Sequence, residues 1–402
     1  MRVLILSNRV PFPRKGGYSI VIYNTMRELL RQGCQITLFS LNPTKHFVYT
    51  NSIDDEVFRQ INFYTYSVDD RVNAKAAFFN LFTNKSYNVS RYFETYCANK
   101  LAQLLKNESF DVVLFEGLQV ASYIDVVQSN TAAKLFFRSH NIESKVWKRL
   151  ALKESFLPRR IYLNLLSKRL HLFETGVINR FDVLLAISSA DEHFFRSMGC
   201  TQKVLTIPVA LDLTEYVTTT ALTPHKSVGY IGSMDWRPNI EGLRWFLDQV
   251  WPQLQELRSG IKFHLAGKKM PVEFQLNNQP GYILEGEVEN ALEFIAKQHV
   301  FVVPLFAGGG MRVKIIEAMA LGKCVIATSI AAEGINYLHD KNILIADKTD
   351  DFYKQILRCF TDKTLIKRIG AEARLLVTQQ HDIEKECRKM LTIFENTCNN
   401  KA

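Results

Sequence analysis

The stretch HVFVVPLFAGGGMRVKIIEAMALGKCVIAT, residues 299–328, decides how this chain folds. Residues 300–306 form an almost unbroken apolar run bounded by Pro and Gly, as expected of a parallel strand covered on both faces. Gly308, Gly309 and Gly310 follow, a tight turn with no Cβ in its way. From Met311 the apolar residues Val313, Ile316, Met319 and Ala320 recur at helical spacing, and Gly322 closes the helix. Residues 325–328 read as a second buried strand. Strand, glycine turn, helix and strand make one winding of a parallel α/β sheet.

Glycines at a helix start leave free N–H groups and the positive end of the helix dipole facing outward, which suits phosphate. Arg312 and Lys314 add positive charge there, and Glu317, one turn beyond Lys314, can accept hydrogen bonds from a sugar hydroxyl. Two readings fit these residues. One is a site for the diphosphate of a nucleotide sugar. The other is a bare turn in which Glu317 pairs with Lys314 at i, i+3 for ~0.2–0.5 kcal/mol.

The same winding recurs on either side. Strand candidates in the first half are 2–7, 35–41, 61–66, 111–116, 134–138, 183–188 and 204–208, each followed by a helical stretch. The polar, Thr-rich run EYVTTTALTP lacks any period and marks a linker over 213–226. Alternation restarts with strands at 228–231, 262–266, 282–285, 300–306, 325–328 and 342–346, and a helix over 239–258 with Leu243, Phe246, Leu247, Val250 and Leu254 on one face. Beyond Asp350 only helices remain. The expected architecture is α/β with two Rossmann-like, doubly wound parallel-sheet domains, 1–212 and 227–375, and a closing helix in 376–402. Ligands of such sheets bind beyond the carboxyl ends of the strands.

Composition narrows the class. At 402 residues, 47% apolar and 22% charged, the chain has the make-up of a globular protein with two full cores. No apolar run reaches the ~18–20 residues that span a bilayer. Pro11 and Pro13 cut short the apolar start, so MRVLILSNRV reads as a core strand and not a signal peptide. Seven scattered cysteines with no Cys-x-x-Cys predict reduced thiols in a cytoplasmic protein and give no support to a metal site. A net charge of +10 attracts polyanions, namely an anionic membrane face, a diphosphate or a nucleic acid. The bases are spread along the chain, which argues against a nucleic-acid partner.

Three further stretches carry chemistry. Gly16-Gly17 ends the loop after the first strand and opens a helix, either a plain turn or a second place for N–H groups to meet an anion. A full Gly-x-Gly-x-x-Gly is missing, which counts against a dinucleotide cofactor. FFRSHNIESKVW, 136–147, places His140 at a strand end, where a neutral imidazole can donate to a hydroxyl or take a proton; Ser139 or Asn141 can instead serve as an N-cap beside a surface His. KAAFFNLFTNKSYNVSRYFETY, 75–96, interleaves aromatic and basic residues, as a packed helical hairpin or as a surface for lipid headgroups.

These motifs carry a resemblance. Glu317-Ala-Met-Ala-Leu-Gly-Lys-Cys-Val is similar to the "EAMA.G.PV" context of glycosyltransferase family 4, retaining enzymes of the GT-B fold whose two domains face a central cleft. The first Glu of that family's Glu-x7-Glu motif falls on Gly309, and the loop resembles a sub-group reading Gly-x-Gly-x-Arg-x-Lys-x-x-Glu. His140-Asn141-Ile142-Glu143 resembles the family's His-Asn-x-Glu turn, with the His near the reacting sugar. Residues 228–246 resemble its strand–loop–helix for donor phosphates, in the variant Gly232-Ser233-Met234-x-Trp236-x-Pro238-Asn239, so that Arg237, Arg312 and Lys314 would carry the charge there.

The resemblance implies transfer of a hexose from a nucleoside-diphosphate sugar to an acceptor hydroxyl with retention, without metal or other cofactor. Backbone amides at Gly309, Gly310 and Met311, with Arg312 and Lys314, would stabilise the departing diphosphate. Glu317 would hold the ribose and His140 would orient the sugar, while Gly16-Gly17 and Gly232 would line the donor site. It also implies a glycan or lipid-linked acceptor, peripheral contact with the inner membrane face, and a last helix crossing back to the N-terminal domain. A nucleotide-sugar epimerase and a non-catalytic sugar-nucleotide or membrane binder are the alternatives.

Overall fold

The computed structural model describes residues 1–399 except 74, 76–78, 81, 84, 219–221, 258–259 and 363. The chain forms two compact units, Met1–Ala210 together with Ile383–Ala402, and Leu211–Asp382.

The first unit holds a seven-stranded parallel sheet in the order β3-β2-β1-β4-β5-β6-β7. Its strands are β1 Arg2–Ser7, β2 Gln35–Pro43, β3 Asn62–Val68, β4 Val112–Glu116, β5 Lys134–Arg138, β6 Val183–Ala186 and β7 Lys203–Thr206. Successive side chains of a strand leave opposite faces, so β1 serves two cores. Val3 and Ile5 pack with Ile22, Met26 and Leu29 of the helix Gly17–Arg31. Leu4 and Leu6 join Leu101, Val113 and Phe115 on the other side. Winding reverses at β1, which pairs with both β2 and β4.

The terminal helix Ile383–Asn399 lays Ile383, Cys387, Met390 and Phe394 on the core of the first unit, where the Phe394 ring meets Phe136 edge-on at 4.5 Å. The boundaries differ from the expected ones for local reasons. Residues 376–380 complete the preceding helix Leu365–Gln380, and the chain leaves the second unit only after Asp382. The start of the expected linker is ordered: Asp212 accepts from Thr214 N at 3.1 Å and caps a turn over Leu213–Glu215, and Tyr216 is buried in the second unit. Residues 219–221 of that linker lie outside the described residues.

The second unit carries a six-stranded parallel sheet in the order β10-β9-β8-β11-β12-β13. The strands are β8 Ser227–Ile231, β9 Lys262–Ala266, β10 Tyr282–Gly286, β11 Val300–Val303, β12 Cys324–Ala327 and β13 Leu344–Ile345. The run read as a strand over 300–306 stops at Val303, because Pro304 has no N–H to continue the ladder. The helix expected over 239–258 starts at Arg237 and opens into a π-turn over Phe246–Val250 before Trp251–Glu256. Pro252 explains this: it lacks an N–H and its ring clashes with the carbonyl of Asp248 in a regular helix. Gly242 lets the helix approach the sheet, since a Cβ there would lie 1.8 Å from the Pro304 carbonyl oxygen.

Candidate functional site

In the second unit the triple-glycine loop leaves β11 and climbs to the helix Val313–Ala320. The helix begins two residues later than the sequence suggests. Gly308 and Gly310 take positive φ, +107° and +73°, and Arg312 is the N-cap in an extended conformation, so Met311 belongs to the loop and is buried. The N–H groups of Gly309, Gly310 and Met311 donate to no other described residue. Arg312 reaches back to the Gly309 carbonyl and lays its guanidinium over the Trp236 ring, 4.9 Å from the centroid. Gly308 sits beneath both. A Cβ there would come within 2.5 Å of Arg312 Nη2 and 2.7 Å of the Trp236 ring.

Lys314 points across to β8. Its ammonium donates to the Ile231 carbonyl at 3.1 Å, Asn239 Oδ1 at 3.2 Å and Tyr230 Oη at 3.3 Å, and it stands 4.4 Å from the centre of the Tyr230 ring. All three ammonium donors are therefore used within the unit. Burial first, and then the nearby charge of Arg312, push Lys314 down to about 7. Tyr230 and Asn239 bond to each other at 2.8 Å, and Asn239 also holds the Ser233 carbonyl, so the loop after β8 is tied to the same lysine. Gly232 lies in that loop with no room for a side chain, its Cβ position being 3.0 Å from Asn239 Nδ2.

Glu317, one turn on, is half-buried and accepts from Tyr216 Oη at 3.2 Å. Burial pushes its carboxyl up to about 7, against the opposing pull of that hydrogen bond and of Lys314. Arg374 anchors the end of this helix by donating to the carbonyls of Tyr216 and Ala320. Arg237 opens the helix after the β8 loop, and its Nε donates to Glu241 Oε1 on the next turn at 2.5 Å, an exposed i, i+4 pair on the helix surface.

The first unit carries a second cluster, at the carboxyl ends of β4 and β5. His140 Nε2 lies 2.8 Å from Glu116 Oε2, and its ring leans on Tyr18 at 4.8 Å. Gly16 caps the helix Gly17–Arg31 at φ +103° and stands exposed, two residues from Tyr18. Tyr18, on the first turn of the helix that Gly16 and Gly17 open, is the residue of that segment that meets His140. Glu116 is fully buried and doubly bonded by Arg138. Glu143, expected beside His140, opens the helix Glu143–Lys153, whose first N–H groups are capped by Glu174. Among the described residues no group of three or more His, Cys, Asp or Glu is placed to hold a metal.

Sequence reasoning assigned no part to Glu116, Tyr18, Tyr230 or Tyr216, and it quoted Asn239 only as the end of the resembled loop motif. A polar residue closing an apolar strand run, as Glu116 does, is the one sign that could have singled it out.

Comparison with known proteins gives three findings. Residues 225–362 match the family model Glycosyl transferases group 1, a segment that contains the loop, Lys314 and Glu317. The chain is 24% identical over 297 residues, 71% of its length and 75% of the relative's, to an uncharacterized 44.6 kDa protein in the cps region of Klebsiella pneumoniae. Among solved structures it resembles sucrose-phosphate synthase from Thermosynechococcus elongatus, with a TM-score of 0.76 at 13% identity over 98% of this chain and 99% of that one. It also resembles Anabaena HepE in complex with UDP and glucose, with a TM-score of 0.68 at 14% identity over 98% and 99% of the two chains. The chain therefore has the GT-B fold of glycosyltransferases, two Rossmann-like parallel-sheet units, and its second unit carries the group 1 segment.

Proposed function

We propose that this protein transfers a sugar from a nucleoside-diphosphate donor to an acceptor hydroxyl with retention of configuration, in the manner of glycosyltransferase family 4, in the assembly of a cell-surface polysaccharide or glycolipid. The observation that carries this reading is the coincidence of the group 1 segment with a glycine loop whose N–H groups at Gly309, Gly310 and Met311 are undonated and flanked by Arg312 and Lys314. Those groups stabilise charge as the diphosphate departs. Glu317 receives the ribose hydroxyls, His140 orients the sugar, and Gly16 and Gly17 line the donor site. The relative in a cps region supports a polysaccharide setting, and HepE holding UDP and glucose supports a nucleotide-sugar donor.

On this reading the diphosphate needs no divalent ion, because loop amides and cations take that role. Turnover persists in excess chelator, and an absolute requirement for magnesium or manganese would overturn it. Docking of the first unit on an anionic membrane belongs to the same proposal. The expected surface at 75–96 is described in part, positions 76–78, 81 and 84 lying outside the described residues, and its Phe79 and Phe82 are exposed.

A thermal-shift screen of nucleoside diphosphates and their sugars tests the donor. A ligand at 100 times its dissociation constant stabilises by ~2.7 kcal/mol. Glu317→Gln keeps the shape and loses the charge of the acceptor, so nucleoside diphosphate binds about tenfold or more weakly, with little change in the melting of the free protein. Equal affinity of the two proteins in calorimetry sinks the assignment of Glu317.

A further inference from the structure

Glu116 closes β4 with no surface exposed, and its carboxylate is fixed by a fork. Arg138 Nε donates to Oε2 at 2.8 Å and Nη2 to Oε1 at 2.5 Å, while Nη1 holds Thr25 Oγ1 at 3.0 Å. A guanidinium only donates, so both carboxylate oxygens accept. Burial alone raises the Glu116 carboxyl, but the charge of Arg138 and the hydrogen bond from His140 more than offset it, and the group is held below its ordinary range.

His140 Nε2 faces the same Oε2 at 2.8 Å. An ionised carboxylate has no proton to give, so the imidazole donates through Nε2. Burial pushes His140 below its ordinary value, which leaves a neutral ring with its single proton at that nitrogen. Nδ1 then carries a lone pair, and it has no hydrogen-bond partner among the described residues. The ring is braced as well. Tyr18 lies against it, and Tyr18 Oη is itself held between Asn8 N at 3.0 Å and the Glu116 carbonyl at 2.9 Å.

We propose that Glu116, pinned by Arg138, is a positioning residue that holds His140 as the Nε2–H tautomer, so that Nδ1 meets a sugar hydroxyl as hydrogen-bond acceptor. The inference rests on the glycosyl-transfer reading and specifies what His140 does within it. The ring cannot donate to the sugar in this state. A hydroxyl must donate to the ring, or lose its proton to it.

Nitrogen-15 spectra of histidine-labelled protein read the tautomer directly, with the His140 signal assigned by its loss in His140→Ala. Wild type shows a protonated Nε2 and a bare Nδ1 with no ligand added. In Glu116→Gln, Arg138 claims the amide oxygen and the amide nitrogen faces the ring, so Nε2 must accept and the proton moves to Nδ1. Turnover of a panel of UDP-, GDP- and dTDP-hexoses then falls in kcat by about tenfold or more at nearly constant KM, as expected when a contact is made chiefly in the transition state. Glu116→Asp, which keeps an anionic acceptor, retains the wild-type signal and more activity than Glu116→Gln. A protonated Nδ1 in wild type overturns the proposal with no substitution needed, and so does a Glu116→Gln protein whose tautomer moves while kcat stays. Absence of turnover of the whole panel beside the expected wild-type tautomer tells against glycosyl transfer and the hydroxyl contact, and leaves only the Glu116–His140 arrangement standing.

Discussion

Lys314 and Glu317 stand one helical turn apart, and burial moves each toward neutrality from opposite sides, Lys314 down to about 7 and Glu317 up to about 7. Between its ordinary 4.5 and about 7, Glu317 binds more protons in the native than in the unfolded chain, so its contribution to stability falls as pH rises through that window. Lys314 binds fewer from about 7 to its ordinary 10.5, so its contribution rises there. The two together put a minimum near neutrality. On the proposed function a bound nucleoside diphosphate would reverse both shifts, because phosphate favours the ammonium and ribose hydroxyls favour the carboxylate. At about pH 8 Glu317 is mostly ionised and Lys314 mostly neutral, so binding takes up protons; at about pH 6 Glu317 dominates and binding releases them. Calorimetry in buffers of different ionisation enthalpy measures the sign, and Lys314→Arg abolishes only the uptake at the higher pH. The same sign at both pH values would remove one of these residues from the site. At this scale the placement of Lys314 and Glu317 one turn apart on the helix after the glycine loop was legible in the motif. Tyr230 and Asn239 were not, since their meeting with Lys314 depends on the pairing of β8 with β11, which no local pattern encodes.

The elements were readable because parallel strands buried on both faces leave long apolar runs, and β5 and β9 fall where those runs do. Where the reading slipped, a backbone constraint overrode periodicity. Proline ended β11 and opened the π-turn, and positive φ at Gly310 delayed the helix that follows it. Glycines test the same point, since their environments differ in kind. Gly176, inside the helix Leu157–Ile178, has open space where a Cβ would stand, so Gly176→Ala stabilises by about 0.4–1 kcal/mol. Gly242 meets the Pro304 carbonyl at 1.8 Å, backbone on both sides, and Gly242→Ala destabilises by about 1–3 kcal/mol as the helix is pushed off the sheet. Urea melts of the two variants must move in opposite directions, and a common direction refutes the packing described for one of them. Gly308→Ala is different again, because the collision is with Arg312 and Trp236 in the loop. It weakens nucleotide binding more than it lowers melting.

For the molecule as a whole, the terminal helix shows that a unit need not be contiguous in sequence. Phe394 is fully buried against Phe136, and Phe394→Ala costs the first unit about 3–5 kcal/mol by leaving a cavity between helix and sheet. Surface chemistry is the other property that belongs to the whole chain. It carries +10, and among the described residues no helix is long and apolar enough to cross a membrane. In the first unit Phe79, Phe82, Leu152, Phe156, Leu157 and Ile161 are exposed, beside Lys75, Lys85, Lys153 and Arg160. The hydrogen bonds from Arg169 to Asn80 at 2.8 and 3.0 Å tie the segment with Phe79 to the middle of the helix Leu157–Ile178. Arg91, within the 75–96 stretch, donates to the Asp70 carbonyl at 3.2 Å. Exposed aromatics with neighbouring cations suit an anionic bilayer, where each base near the surface contributes ~1 kcal/mol and the attraction fades beyond a Debye length. If the first unit docks on a membrane as proposed, the protein co-sediments with vesicles containing anionic lipid, leaves them as salt rises, and ignores neutral vesicles. Changing Lys75, Lys85 and Arg160 together to Ser loosens that binding and leaves nucleoside-diphosphate affinity unchanged, because Lys314 and Glu317 are in the other unit. Equal sedimentation of the two proteins, or binding that salt does not weaken, would leave these side chains as exposed packing of the helical hairpin and point to an acceptor met in solution.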